Sequence, residues 1–131
     1  MLDMKISSYK QLTVWQKSYN LVKEVYNLTA KLPKSETYGL SSQMQRSAVS
    51  IPSNIAEGQL RRNIKEYVQF LSIAQGSAAE LDTQLLITQD IYGIDTVEQV
   101  KTLEEIQKML FALSQKLTIT YNLKPITSPK S

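Results

Sequence analysis

Between Leu12 and Leu32 the apolar residues fall into two stripes, each at the three-to-four-residue spacing of a helix. One stripe is Leu12, Trp15, Tyr19, Val22 and Tyr26; the other is Val14, Leu21, Val25, Leu28 and Leu32. They are rotated by about one residue, so together they cover well over half of the helix surface. A helix in a monomeric bundle needs an apolar stripe only roughly 100° wide. The surplus predicts a second burial partner. The chain also has few breakers, with 4 Gly and 4 Pro in 131 residues, and two of the prolines, Pro125 and Pro129, stand near the end. Few turns over this length mean few, long elements.

The breakers divide the chain into four helices. Pro33 stops the first, and residues 35–39 form a loop or short turn. The second runs from about Leu40 to Glu57 with Leu40, Met44, Ala48, Ile51 and Ile55 on one face, and Gly58 is expected to end it in a left-handed conformation. Pro52 lies inside it and implies a kink or a junction of two shorter helices; the apolar spacing continues through the proline and favours the kink. Asn63 to Glu66 reads as a capping box that opens the third helix, whose core stripe is Tyr67, Leu71, Ala74, Ala78, Leu81 and Leu85. Gly76, among Ser77, Ala78 and Ala79, predicts a close helix–helix approach. Gly93 ends this helix. Asp95 to Glu98 is a second capping box, and the fourth helix carries Val100, Leu103, Ile106, Leu110, Leu113 and Leu117 to about Tyr121. The expectation is an all-α, up-down antiparallel four-helix bundle over residues 12–121, with an N-terminal arm (1–11) and a flexible C-terminal tail (122–131).

Composition narrows the chemistry. The chain has no Cys and no His, which excludes disulfides, thiolate chemistry, imidazole acid–base roles and the usual zinc sites. Ser50, Ser53 and Ser77 have no histidine or lysine partner in a plausible nucleophile arrangement, and no Glu-x-x-His pair exists for a carboxylate metal site. No catalytic residue, metal, cofactor or small-molecule substrate is expected. With no leader-like or membrane-spanning apolar run, a cytoplasmic protein without a membrane partner is the default expectation.

Charge is uneven along the chain. Residues 1–65 hold ten Lys/Arg against four Asp/Glu, a balance of +6; residues 66–131 hold five against eight, a balance of −3. Such asymmetry marks a polyanion-binding face, or one subunit's basic side meeting another's acidic side. The densest basic cluster, Arg61, Arg62 and Lys65, sits at the start of the third helix, where free backbone N–H groups and the helix dipole would add to the attraction for phosphate. Lys5, Lys10 and Lys17 would extend that patch. The competing reading is a solvated loop that aids solubility.

From Tyr38 to Leu60 the only charged side chains are Arg46 and Glu57, and the polar face of this helix is Gln43, Ser47, Ser50, Ser53 and Asn54. Small uncharged polar groups pack closely on another surface and hydrogen-bond to it. Arg46 and Glu57 are three turns apart, about 16 Å along the axis, so they cannot pair with each other within the helix, and each could pair with a neighbouring helix or with the other residue on an adjacent subunit. Trp15, Gln43, Arg46, Ser50, Asn54 and Glu57 are the candidate oligomer interface; plain solvent exposure is the alternative.

These segments carry a resemblance. Val14-Trp15-Gln16-Lys17, Tyr38-Gly39-Leu40, the run Ser50-Ile51-Pro52-Ser53-Asn54-Ile55-Ala56-Glu57-Gly58, and Phe70 to Ser77 followed by Glu80-Leu81 resemble the bacterial four-helix-bundle family named for 23S rRNA intervening sequences, also called the S23 ribosomal protein family. The resemblance implies ring-shaped homopentamers. It also implies a fold shared with the accessory variability determinant of diversity-generating retroelements, hence RNA or DNA and a reverse transcriptase as partners. Gln45-Arg46 stands where the family often has two arginines, and Gln75 where it has a basic residue, so this chain has less positive charge at both places. The function expected is a non-enzymatic oligomeric accessory protein, with a protein-only scaffold as the alternative.

Overall fold

The computed structural model describes residues 8–121, so the expected tail at 122–131 and most of the N-terminal arm lie outside the described residues. Four helices form: α1 (Thr13–Thr29), α2 (Leu40–Gln59), α3 (Ile64–Tyr92) and α4 (Val97–Thr120). Single 3-10 turns at Tyr9–Gln11 and Lys34–Glu36 precede α1 and α2. The helix α1 stops three residues short of the expected Leu32. The N–H groups of Lys31 and Leu32 bond to Leu28 and Thr29, a tightened last turn that Pro33 cannot extend.

Each helix packs on two neighbours, α1 on α2 and α4, α3 on α2 and α4, and the backbones of the diagonal pairs stay apart among the described residues. Cross-links set the directions. Gln45 at the start of α2 donates to Thr29 at the end of α1. Thr88, late in α3, donates to the Met44 sulfur, early in α2. Lys17 pairs with Glu105, and Gln99 donates to Glu24, so α1 and α4 also run antiparallel. The result is the expected up-down bundle. Its centre is fully buried Leu21, Val25, Met44, Ile51, Ile55, Leu71, Leu81, Leu85, Leu103, Ile106 and Leu110.

The helix α2 passes unbroken through buried Pro52, which removes one backbone bond without dividing it. Two glycine expectations exchange places. Gly58 is not a left-handed cap: α2 continues to Gln59, and Leu60 closes it in a right-handed conformation. A Cβ on Gly58 would sit 2.9 Å from both Tyr67 and Phe70, so this glycine is where α2 and α3 approach too closely for a side chain. Burial beneath it pushes the Tyr67 phenol up to about 12. A Cβ on Gly76 would meet nothing within 4 Å, so this glycine makes no close approach. Gly93 does end α3 with φ 65°. Asn63 caps α3 by accepting from Lys65 and Glu66. At α4 the cap is Asp95, which accepts from Val97, while the buried Thr96 hydroxyl turns inward to the Leu85 carbonyl.

The joint before α2 is tied to the end of α3. Glu36 accepts from the Leu40 N–H and from the Tyr92 hydroxyl. The Tyr92 bond, then the Leu40 bond, hold the Glu36 carboxyl below its usual 4.5, and the same carboxylate raises Tyr92 above 10. A lowered carboxyl contributes stability that is present above its unfolded value and is lost as pH falls through the folded one. Tyr92→Phe therefore flattens the acid limb of the stability–pH curve, measured by denaturant unfolding between pH 3 and 7. A variant with the wild-type acid slope would show that the pair does not act. For the glycines, Gly58→Ala should lower stability by about 1–3 kcal/mol through overpacking. Gly76→Ala should raise it by up to about 1 kcal/mol through helix propensity. Thermal melts that reverse this order would refute both assignments.

Candidate assembly and polyanion-binding surfaces

The two stripes of α1 have separate fates. Val14, Leu21, Val25 and Leu28 enter the core, and Leu32 follows them from the turn beyond. The other stripe stays at the surface: Trp15 and Val22 are half-buried, and Tyr19 and Tyr26 are each 47% exposed. Tyr9 tilts against Trp15 at 5.4 Å, Trp15 stacks on Tyr19 at 4.9 Å, and the Lys23 ammonium lies 5.0 Å from the Tyr19 ring centre. With Val22, Val49, Pro52, Ser53 and Ala56 these rings line a groove of about 320 Å³ on the α1/α2 side. Residues 9–11 of the expected arm are thus a turn docked on the bundle, held also by Gln16 donating to the Lys10 carbonyl.

A second, polar groove of about 540 Å³ runs along the α2/α3 side. Tyr38, Gln43, Arg46 and Ser50 line it from α2 and the turn before it; Ser77, Glu80 and Gln84 line it from α3. Its floor is hydroxyl-rich. Ser50 and Ser77 share a hydrogen bond of 2.7 Å, and Asn54 donates to the Ser50 carbonyl and hydroxyl. Ser50 and Asn54 therefore join α2 to α3 within one chain, which accounts for part of the charge-poor character of α2. Arg46 and Glu80 face this groove without an ion pair among the described residues. The buried side-chain oxygen of Gln84 has no hydrogen-bond partner. Trp15 is on the other side of α2 from Gln43, Arg46 and Ser50, so the six predicted interface residues do not form one patch.

The basic end of the bundle departs from expectation. Glu57 is occupied within its own helix terminus: Arg61 donates to it at 2.5 Å, and the Arg61 guanidinium lies 4.8 Å from the Phe70 ring centre. The N–H groups of Lys65 and Glu66, expected to be free for phosphate, are taken by the Asn63 cap. Arg62 and Lys65 remain exposed, with no ion pair to their side chains among the described residues. Lys10 shares this end, because the start of α1 lies beside the end of α2. Lys17 is paired at 3.9 Å with Glu105, and Lys5 lies outside the described residues.

Periodicity alone missed one face. Ile73, Ile87 and Ile91 are exposed on α3, on the same flank as Glu80 and Gln84. The signal was present: from Tyr67 to Gln89 only Glu80 and Asp82 are charged, the same poverty seen in α2. Among the described residues no group of three or more acidic side chains is placed to hold a metal ion, and no helix is long and apolar enough to cross a membrane.

An antiparallel four-helix bundle with uncovered apolar strips on adjacent sides defines the class. The family model described as 23S rRNA-intervening sequence protein matches residues 10–115, and the chain belongs to that family. It is similar to the crystal structure of a protein of unknown function from the S23 ribosomal protein family of Bacteroides thetaiotaomicron. That likeness has a TM-score of 0.73 at 23% identity and covers 79% of this chain and 99% of the other, which establishes the shared fold. No curated protein matches the chain.

The unpaired Gln84 oxygen is a local liability in the isolated chain, because a buried acceptor without a donor carries its desolvation cost uncompensated. Gln84→Leu should raise the thermal midpoint of the isolated chain, by about 1 kcal/mol in stability. A lower midpoint would mean that the amide makes a bond worth more than its burial.

Proposed function

We propose that this protein is a non-catalytic scaffold that assembles with copies of itself into a ring and associates with nucleic acid or with a protein that handles it. The observation that carries the reading is the second stripe of α1. Trp15, Tyr19, Val22 and Tyr26 form a contiguous aromatic strip that the bundle itself leaves uncovered. Surface of this kind marks an interaction site. Membership of the 23S rRNA-intervening sequence protein family supports a link to RNA. The pentameric ring implied by the resemblance would repeat the basic end five times, turning a weak phosphate contact into a useful one by avidity. Arg62, Lys65 and Lys10 supply that contact, without base reading, so affinity should fall steeply with salt.

A second reading, a protein-only scaffold, draws on the basic end itself. Arg61 is paired with Glu57, and Asn63 accepts from the Lys65 and Glu66 N–H groups, leaving fewer free donors than the sequence implied. Two measurements separate the readings. Light scattering should give a mass several times that of one chain; a monomer removes the scaffold in both forms. Fluorescence anisotropy with single-stranded RNA at 50 and 200 mM salt should then show binding that weakens by tenfold or more between the two. Arg62→Glu with Lys65→Glu should abolish it, whereas Glu57→Gln, which releases Arg61, should strengthen it. An oligomer that binds no RNA at low salt leaves the protein-only scaffold.

A further inference from the structure

We infer that the α3/α4 side of the bundle docks one amphipathic helix of a partner protein, a helix whose apolar stripe is bordered by Lys or Arg on one edge and by Asp or Glu on the other. The inference adds a partner to the scaffold proposed above and depends neither on ring formation nor on nucleic-acid binding. Its starting point is the spacing of residues on the two helices. On α3, Gln75, Ala79, Asp82 and Leu86 recur at intervals of four and three, so they share one flank. Gln89 continues that flank and accepts from Thr96 at the start of α4, which marks it as the side toward α4. Ser77 and Thr88 turn the other way, to Ser50 and Met44 of α2. On α4, Val97, Glu104 and Phe111 stand one heptad apart and share a flank as well. Glu105 pairs with Lys17 of α1, and Phe111 is rotated from it by about 120°, away from α1 and toward α3.

Large apolar side chains stay uncovered along this side. Leu86, Val97 and Phe111 are 46%, 45% and 59% exposed. Single exposed apolar residues are ordinary, but here three lie on the adjoining flanks of two antiparallel helices, with polar residues around them. Val97 and Phe111 are about 21 Å apart along α4, the length of a partner helix of about four turns. Two packed helices leave a furrow between them that takes the ridge of a third.

Charge specifies the occupant. Asp82 and Asp90 stand one turn on either side of Leu86, and α3 has no Lys or Arg from Glu66 to Tyr92. On α4, Glu104 lies near the furrow, while Lys101 and Lys108 stand on the outer border. None of these five has an ion pair among the described residues. The α3 border is therefore acidic and the α4 border basic. A helix with one sign of charge on both edges would meet like charge along one border. A helix with basic residues over α3 and acidic residues over α4 is complementary along both. The recognition mode is an amphipathic helix laid on an apolar strip, with its edges setting partner choice.

The test uses the full chain and three synthetic leucine-striped helical peptides of about 18 residues. One is edged by Lys on one side and Glu on the other, one by Glu on both, one by Lys on both. Fluorescence anisotropy should show saturable binding of the Lys/Glu peptide, at least about tenfold tighter than either uniform peptide. The double variant Leu86→Gln/Phe111→Gln should weaken it by about tenfold or more, with circular dichroism and mass in solution unchanged. Ile87→Gln, on the other flank of α3, should leave it unchanged. Asp82→Lys/Asp90→Lys should transfer the preference to the peptide with Glu on both edges. Equal binding of the three peptides, binding that survives Leu86→Gln/Phe111→Gln, or no saturable binding at about 100 μM would overturn the inference. A wild-type mass that this double variant halves would overturn it too, by assigning the side to a second copy. A wild-type monomer that still binds the Lys/Glu peptide would remove the ring and leave the docking side in place.

Discussion

The close contact between α2 and α3 governs the rest of the molecule. Small residues carry it along its length: Gly58 beneath Tyr67 and Phe70, Ser50 against Ser77, and Ala48 and Ala78 buried nearby. Short side chains let the two helices approach, and their hydroxyls are satisfied across the seam, which a row of lysines and glutamates could not achieve. The consequence is a helix α2 with almost no charge, read in the sequence as an interface feature. Part of that feature is an interface between helices of one chain. What remains outward, Arg46 and the groove beside it, is available to something else.

The same contact orders the basic end. Because Gly58 has no side chain, α3 begins tight against the end of α2, and Phe70 comes to lie under the guanidinium of Arg61. Arg61 is then held between a carboxylate and a ring, leaving Arg62 and Lys65 as the outward cations of the loop. A cluster of three basic residues in sequence is thus one paired and two unpaired charges in space. The difference bears directly on how strongly one subunit can hold a phosphate backbone, and it places the weight of any such binding on repetition around an assembly.

Much of the fold was legible because it is encoded in periodicity. The four helices, the Asn63 cap, the left-handed Gly93 and the core leucines follow from spacing and from local chemistry that works at short range. The double stripe of α1 was legible for the same reason, and its two halves go where two stripes must, one inward and one outward. The errors share a different cause. Gly58 follows a helical run and looks like a terminator, while Gly76 sits among alanines and looks like a packing site; only the positions of Tyr67 and Phe70 across the seam reverse the two. Pairing of Glu57 with Arg61 is a one-turn relation across the end of the charge-poor run, which the spacing of Arg46 and Glu57 does not reveal. The α3 isoleucines lie outside the core stripe, so core periodicity alone leaves them unassigned.

Met44 is wholly buried, and its sulfur receives the hydroxyl of Thr88 across the α2–α3 seam. A thioether in that position is shielded from peroxide for as long as the two helices stay together. Its conversion to the sulfoxide would place a polar, chiral group in the middle of the core, so the lesion, once made, would oppose reclosure of the seam that admitted it. Met44 is in this sense a chemical recorder of helix opening, and the rate of its oxidation measures how often the bundle exposes its own interior.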